Sequence, residues 1–294
     1  MSNTCCSFKF YINILCCICN ILEILRGNYY FRSMKKLLYV HGYNGSPDGG
    51  SCRLFKKHKP ENWEVIGMDY CQDDCELALR QIRETIEREG IDVVVGCSLG
   101  GFLTLLTTGV RRFVVNPCYL PSVELLKLKP FEGFPAPSPE LIATYAAQEW
   151  RLKQLPDEDL KNITPLFGDS DELLGLKYKD MMADDLGILG SIVPSQHHIS
   201  EEAVQLVCQM LSDERMKDAH RHSFENEEEI KASETCGCFS CCRTFSPNEI
   251  EDWVDDADGK TALCPYCHTD AVIGDASGLP LDKTFLHAMN LRWF

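Results

Sequence analysis

Basic residues are scarce in this chain: 29 Lys and Arg stand against 44 Asp and Glu in 294 residues, a formal net charge of -15. Neutralising nucleic-acid phosphates takes clustered cations, so a nucleic-acid partner is set aside. Long apolar runs are missing as well. The uncharged stretch Phe10 to Leu22 has thirteen residues, short of the roughly 20 that span a bilayer. Apart from Lys9 it also lacks the basic start and the small-residue cleavage site of a signal peptide. A membrane role would therefore need residues 1–33 to act as an amphipathic or thiol-acylated anchor. The preferred expectation is that translation starts at Met34 and that 1–33 is an extension without a fold of its own.

Cysteine is plentiful, with 17 residues, but the even spread of a disulfide scaffold is absent. Five lie before residue 20, six lie between 236 and 267, and the rest are scattered as reduced cytosolic thiols usually are. A cytoplasmic protein is expected.

From Lys35 onward the chain alternates β-branched runs with amphipathic stretches. Strands are expected at Leu37–Val40, Val65–Tyr70, Val93–Val95, Phe113–Asn116, Ile163–Phe167 and Gly190–Val193. Cys75–Glu89, with Leu77, Leu79, Ile82 and Ile86 apolar, reads as a helix, as do the stretches near 101–108, 140–155, 172–184 and 201–211. Short connections between alternating elements imply an α/β fold with a parallel sheet and right-handed crossovers. Five prolines between 117 and 138 interrupt the rhythm, and residues 118–162 are read as a cap insertion above the strand ends. The charged stretch 212–235 reads as a solvated linker or loose helix. The expected division is thus an extension (1–33), an α/β domain (34–211), a linker (212–235) and a small metal-binding domain (236–294).

Chemistry concentrates at Gly96-Cys97-Ser98-Leu99-Gly100. A Gly-x-Ser-x-Gly pentapeptide between a strand and a helix lifts its serine onto a sharp turn, where a neighbouring base can take the hydroxyl proton. Acidic residues and then histidines follow in the order Ser, Asp, His. Asp171 is preferred over Asp169 as the carboxylate because it lies deeper in the loop after its strand. His198 is preferred over His197 because it directly precedes Ile199-Ser200 and the last helix. Two backbone donors are expected to face the developing oxyanion, the amides of Leu99 and Tyr43, while His41 shapes the loop that carries Tyr43.

Residues 35–211 resemble the YqiA-like esterases, a compact branch of the α/β-hydrolase superfamily. The resemblance lies in Leu37 to Pro47 (LLYVHGYNGSP), Val95 to Gly101 (VGCSLGG), Val114 to Pro117 (VVNP), Gly168 to Glu172 (GDSDE) and His198. It implies a triad of Ser98, Asp171 and His198 that hydrolyses small acyl esters or thioesters. The extra Gly-Asp-Ser step in the acid loop leaves Asp169 in play.

Cys238-x-x-Cys241 and Cys264-x-x-Cys267, 22 residues apart, have the spacing of two tight turns that present four thiolates to one structural Zn2+. Cys236 and Cys242 flank the first pair and compete with it. The run is similar to a small bacterial zinc-ribbon-like domain. With four Lys and Arg against nine Asp and Glu in residues 236–294, contact with a protein partner suits it better than nucleic acid. The leading expectation is a serine hydrolase with zinc as its structural metal and no cofactor for catalysis. Its rival is a non-catalytic hydrolase-fold scaffold whose zinc module binds a protein.

Overall fold

A computed structural model describes residues 34–130, 133–257 and 259–294; the extension expected over 1–33 lies outside the described residues. Residues 36–294 form one compact unit. Among the described residues no helix is long and apolar enough to cross a membrane.

The first half runs β1 (Lys35–Val40), α1 (Gly50–His58), β2 (Trp63–Gly67), α2 (Cys75–Glu89), β3 (Val93–Cys97), α3 (Leu99–Leu105) and β4 (Arg111–Val115). Next come α4 (Pro121–Glu124), α5 (Pro139–Ala146) and α6 (Asp157–Leu160), then β5 (Ile163–Gly168), α7 (Lys177–Leu186), β6 (Ser191–Val193) and α8 (Glu201–Met210). The six strands form one sheet in the order β2-β1-β3-β4-β5-β6, and the pairs β1/β3, β3/β4, β4/β5 and β5/β6 are parallel.

Strand side chains alternate between the two faces, so each strand feeds two cores. Leu37, Tyr39, Val93, Val95, Phe113, Val115 and Val193 pack with Phe55 of α1 and with Ala203, Val204 and Val207 of α8. Leu38, Val40, Val94, Val114 and Phe167 face the other way, onto Leu79 and Ile82 of α2, Phe102 of α3, Tyr145 of α5 and Met182 of α7. Arg112 is fully buried at the start of β4, donating to the carbonyls of Leu105 and Asp159 at 2.8 and 2.7 Å and pairing with the Asp159 carboxylate at 3.1 Å. It ties the end of the insertion to the sheet.

Local chemistry sets most of the boundaries. Asp74 caps α2 by accepting from the Leu77 amide at 3.0 Å, and Gly90 ends it in the left-handed conformation. Ser200 caps α8 through the Ala203 amide, as its position before Glu201-Glu202 suggested. The helix expected from 172 starts only at Lys177, because the amides of Leu173 and Leu174 turn back onto Asp171 and Gly175 takes a positive φ of 61°. Helix α1 escaped the sequence reading: it begins at Gly50 without a side-chain cap and buries only Cys52 and Phe55, too few apolar positions to show a period.

Of the two readings of residues 212–235, the helical one holds, and the helices are packed rather than loose. The stretch forms α9 (Asp213–Arg221) and α10 (Glu227–Lys231), and buries Met216, Ala219 and Ile230 behind its charges. The rest is short strands and one helix: β7 (Cys236–Cys238), β8 (Thr244–Phe245), β9 (Trp253–Asp255), β10 (Lys260–Ala262), β11 (Val272–Gly274) and α11 (Lys283–Trp293). β7 pairs antiparallel with β8 and β11, and β9 with β10.

Candidate active site

Ser98 sits between the end of β3 and the first residue of α3, with φ 53° and ψ -120°, a conformation that a residue with a side chain rarely adopts. Its neighbours enforce it. The Ser98 amide donates to Val115 O at 3.1 Å, and its carbonyl accepts from the Cys118 amide at 2.9 Å. A Cβ at Gly96 would come within 2.3 Å of Gly100 O, and one at Gly100 within 2.2 Å of Val40 O. Both glycines are therefore required by the close approach of backbone to backbone.

Three side chains from three strand ends stand in line. Ser98 Oγ lies 3.0 Å from His197 Nε2, and His197 Nδ1 lies 3.0 Å from Asp171 Oδ1. Because the carboxylate can only accept, Nδ1 carries the proton and Nε2 presents its lone pair to the serine. Burial pushes the Asp171 carboxyl up, but hydrogen bonds from His197 and from the Leu174 and Leu173 amides outweigh it and leave the group below its ordinary range.

The histidine in contact is thus His197, where the sequence reading favoured His198. Along residues 195–199 burial alternates, with Ser195, His197 and Ile199 buried and Gln196 and His198 exposed. Closeness to the buried Ile199 therefore puts His198 on the outer side and His197 on the inner one. The competing acid, Asp169, accepts from the Ser195 amide at 3.2 Å and from Ser170 Oγ, and so braces the start of the same loop.

Two residues that were not singled out hold His197. Asn116, buried and with a positive φ of 44°, donates from Nδ2 to the carbonyls of Gln196 and His197 at 2.8 and 3.1 Å while its Oδ1 accepts from the Gly168 amide at 2.6 Å. Glu172 accepts from the His197 amide at 3.1 Å. Asn116 carried a signal in the Val-Val-Asn-Pro run, as a polar residue closing an otherwise apolar strand.

The loop after β1 approaches the serine from the other side. A Cβ at Gly42 would lie 3.1 Å from Ser98 Cβ, and Tyr43 and Leu99 both line the same cavity. First-turn amides of a helix have no partner inside it, which leaves the Leu99 amide available to an oxyanion. His41 is buried away from this line: its ring stacks on Tyr70 at 4.7 Å, its Nδ1 donates to Gly42 O at 2.9 Å, and burial holds its basicity down.

The cavity measures about 530 Å³. Gly42, Tyr43, Ser98 and His197 line it together with Leu125, Leu128, Phe134 and Pro137 of the insertion and Leu173, and Glu124, Lys127 and Lys129 add charge to the lining. Two cysteines also reach it. Burial pushes the Cys97 thiol up to about 12 and raises that of Cys118 as well, so neither competes as a thiolate.

Residues 36–165 match the model of a family described as "Uncharacterised protein family (UPF0227)". Among solved structures, Est1E from Butyrivibrio proteoclasticus aligns with a TM-score of 0.50 at 15% identity, covering 65% of this chain and 90% of that one. This chain has the α/β-hydrolase fold. The esterase domain of a Rhodothermus marinus protein aligns with a TM-score of 0.46 at 13% identity, over 63% of this chain and 87% of that one. No curated protein matches the sequence.

Outside the hydrolase sheet, the cysteines of the second motif also converge. The sulfurs of Cys238, Cys241, Cys264 and Cys267 all lie within 4.8 Å of one another, while Cys236 and Cys242 stand apart from the group.

Proposed function

We propose that the protein is a serine hydrolase that cleaves an acyl ester or thioester through an acyl-Ser98 intermediate. The observation that carries this reading is the continuous line Ser98 Oγ, His197 Nε2, His197 Nδ1, Asp171 Oδ1, with both contacts at 3.0 Å. His197 takes the hydroxyl proton as Oγ attacks the acyl carbon, and Asp171 holds the imidazole in the tautomer that can accept it. The amides of Leu99 and Tyr43 face the negative oxygen of the tetrahedral intermediate. Collapse expels the alcohol or thiol, which receives the proton from His197. A water then repeats the sequence on the acyl group and frees the serine.

The apolar side chains that Leu125, Leu128, Phe134 and Leu173 bring to the cavity suit the hydrocarbon part of an acyl group, so residues 118–162 act as a substrate-shaping cap. A fluorophosphonate probe tests the reading, because only an activated serine reacts with it. Wild-type protein is expected to label at Ser98, and Ser98→Ala to lose both labelling and about 10⁴-fold or more of kcat/KM on a p-nitrophenyl ester. Failure of the wild type to label would favour the non-catalytic scaffold.

A further inference from the structure

We propose that Cys238, Cys241, Cys264 and Cys267 hold one zinc ion, and that this ion clamps the C-terminal region onto α8, the helix that follows the His197 loop. The inference is independent of the hydrolase reading.

The two cysteine pairs sit on two copies of one backbone turn. In each, the residue after the second cysteine is left-handed, Cys242 and His268 both having φ 56°. In each, the amide of the first cysteine donates to the carbonyl five residues ahead, Cys238 to Arg243 at 2.9 Å and Cys264 to Thr269 at 3.0 Å. Each turn thus presents two sulfurs in the same way.

Across the gap the sulfurs of Cys238 and Cys267 are 3.6 Å apart, and those of Cys241 and Cys264 3.7 Å. Disulfides are excluded, since an S–S bond is about 2.05 Å long. A tetrahedron of thiolates around zinc, with Zn–S of about 2.3 Å, has edges of about 3.8 Å. The spacing therefore fits a shared ion, and four protein ligands close the sphere, so the metal is structural. The repeated turn also selects four of the six cysteines: Cys242 occupies the left-handed position, and Cys236 lies a full strand step back, paired with Gly274.

The link to α8 runs through α11. Asn290 Nδ2 donates to Ser240 O, inside the first turn, at 2.8 Å. A Cβ at Gly237 would come within 3.0 Å of both Leu286 methyls, so β7 lies directly on that helix. Phe285, Leu286, Ala288 and Met289 then share one buried cluster with Ala203, Val204, Leu206 and Val207 of α8. Strands of two or three residues hold little by themselves, so the ion is what fixes the turns against α11.

The test uses the full chain, reduced and purified with zinc present. Elemental analysis is expected to find about one zinc per chain in the wild type, in Cys236→Ser and in Cys242→Ser, and less than about a tenth of that in Cys264→Ser/Cys267→Ser. Should the double variant not fold, metal-stripped wild type is titrated with Co2+, which is expected to saturate at one equivalent with the visible bands of a tetrahedral thiolate site. Hydrogen exchange reads the clamp: chelation is expected to lower protection in α8 and α11 together. The zinc site is overturned by a wild type that takes up no metal, by iron in place of zinc, or by Cys242→Ser losing the metal as completely as the double variant. The clamp is overturned if chelation exposes the two turns and leaves α8 protected as before.

Discussion

The serine line and the cysteine cluster are both built from side chains that must meet within a few ångströms, yet they are assembled in opposite ways. Ser98, Asp171 and His197 come from the ends of β3, β5 and β6 and are distant in sequence. A six-stranded sheet with a core on each face holds them in place. The four cysteines come from two short local turns, set among strands of two or three residues and packed on one helix, α11. One site is positioned by the fold; the other, in the reading argued above, positions the fold. Losing a side chain should therefore cost activity at the first and stability at the second.

The sharpest contrast sets Ser98→Ala against Cys264→Ser/Cys267→Ser. The first should abolish turnover while shifting Tm by only a few degrees. The second should lower Tm by about 10 °C or more, in line with a loss of ~3–4 kcal/mol for a unit of this size.

Next in size is the pair of histidines. His197→Ala should lower kcat/KM by about 10³-fold or more, whereas His198→Ala should change it by less than about tenfold. Steady-state kinetics on one ester decides between them, and the reverse ranking would undo the assignment.

Asp171→Asn should cost about 10³–10⁴-fold in kcat, because an amide cannot hold the Nδ1–H tautomer. It should also remove a pH-dependent share of stability. The native carboxyl lies below its ordinary range, so its contribution is complete above the unfolded value near 3.9 and is lost as pH falls through the lower native value. Denaturation of wild type and variant should accordingly differ above about pH 4 and converge in stronger acid.

The smallest effect belongs to the cap. Phe134→Ala should weaken selection for longer acyl chains by about threefold to tenfold, measured over an acyl series, with little change on acetyl esters.

The alternation of strands and helices, the strand-turn-helix around Ser98, and the two cysteine pairs were legible in the sequence because each is local and periodic. The choice between His197 and His198 was not. It depends on which side of an irregular loop is inner, and Asn116 and Glu172 set that from elsewhere in the chain. Asp171 could be ranked above Asp169 by its depth in the loop, whereas the partner of Asp169, the Ser195 amide, lies 26 residues on and leaves no mark near it. Residues 212–235 look like a solvated linker because charges outnumber the few apolar anchors. Met216, Ala219 and Ile230 nonetheless find a core that belongs to other segments.

Helix α8 has a consequence for synthesis of the chain. Ala203, Val204, Leu206, Val207, Cys208 and Met210 are all buried, and part of their cover comes from Phe285, Leu286 and Met289. When residue 211 leaves the ribosome, the six strands are already available, but one flank of this helix is still bare and must wait for some 80 further residues. A nascent chain in that interval exposes an apolar stripe that invites chaperones or neighbouring chains. Residues 285–289 thus complete a core whose strands and α8 were made some 80 residues earlier.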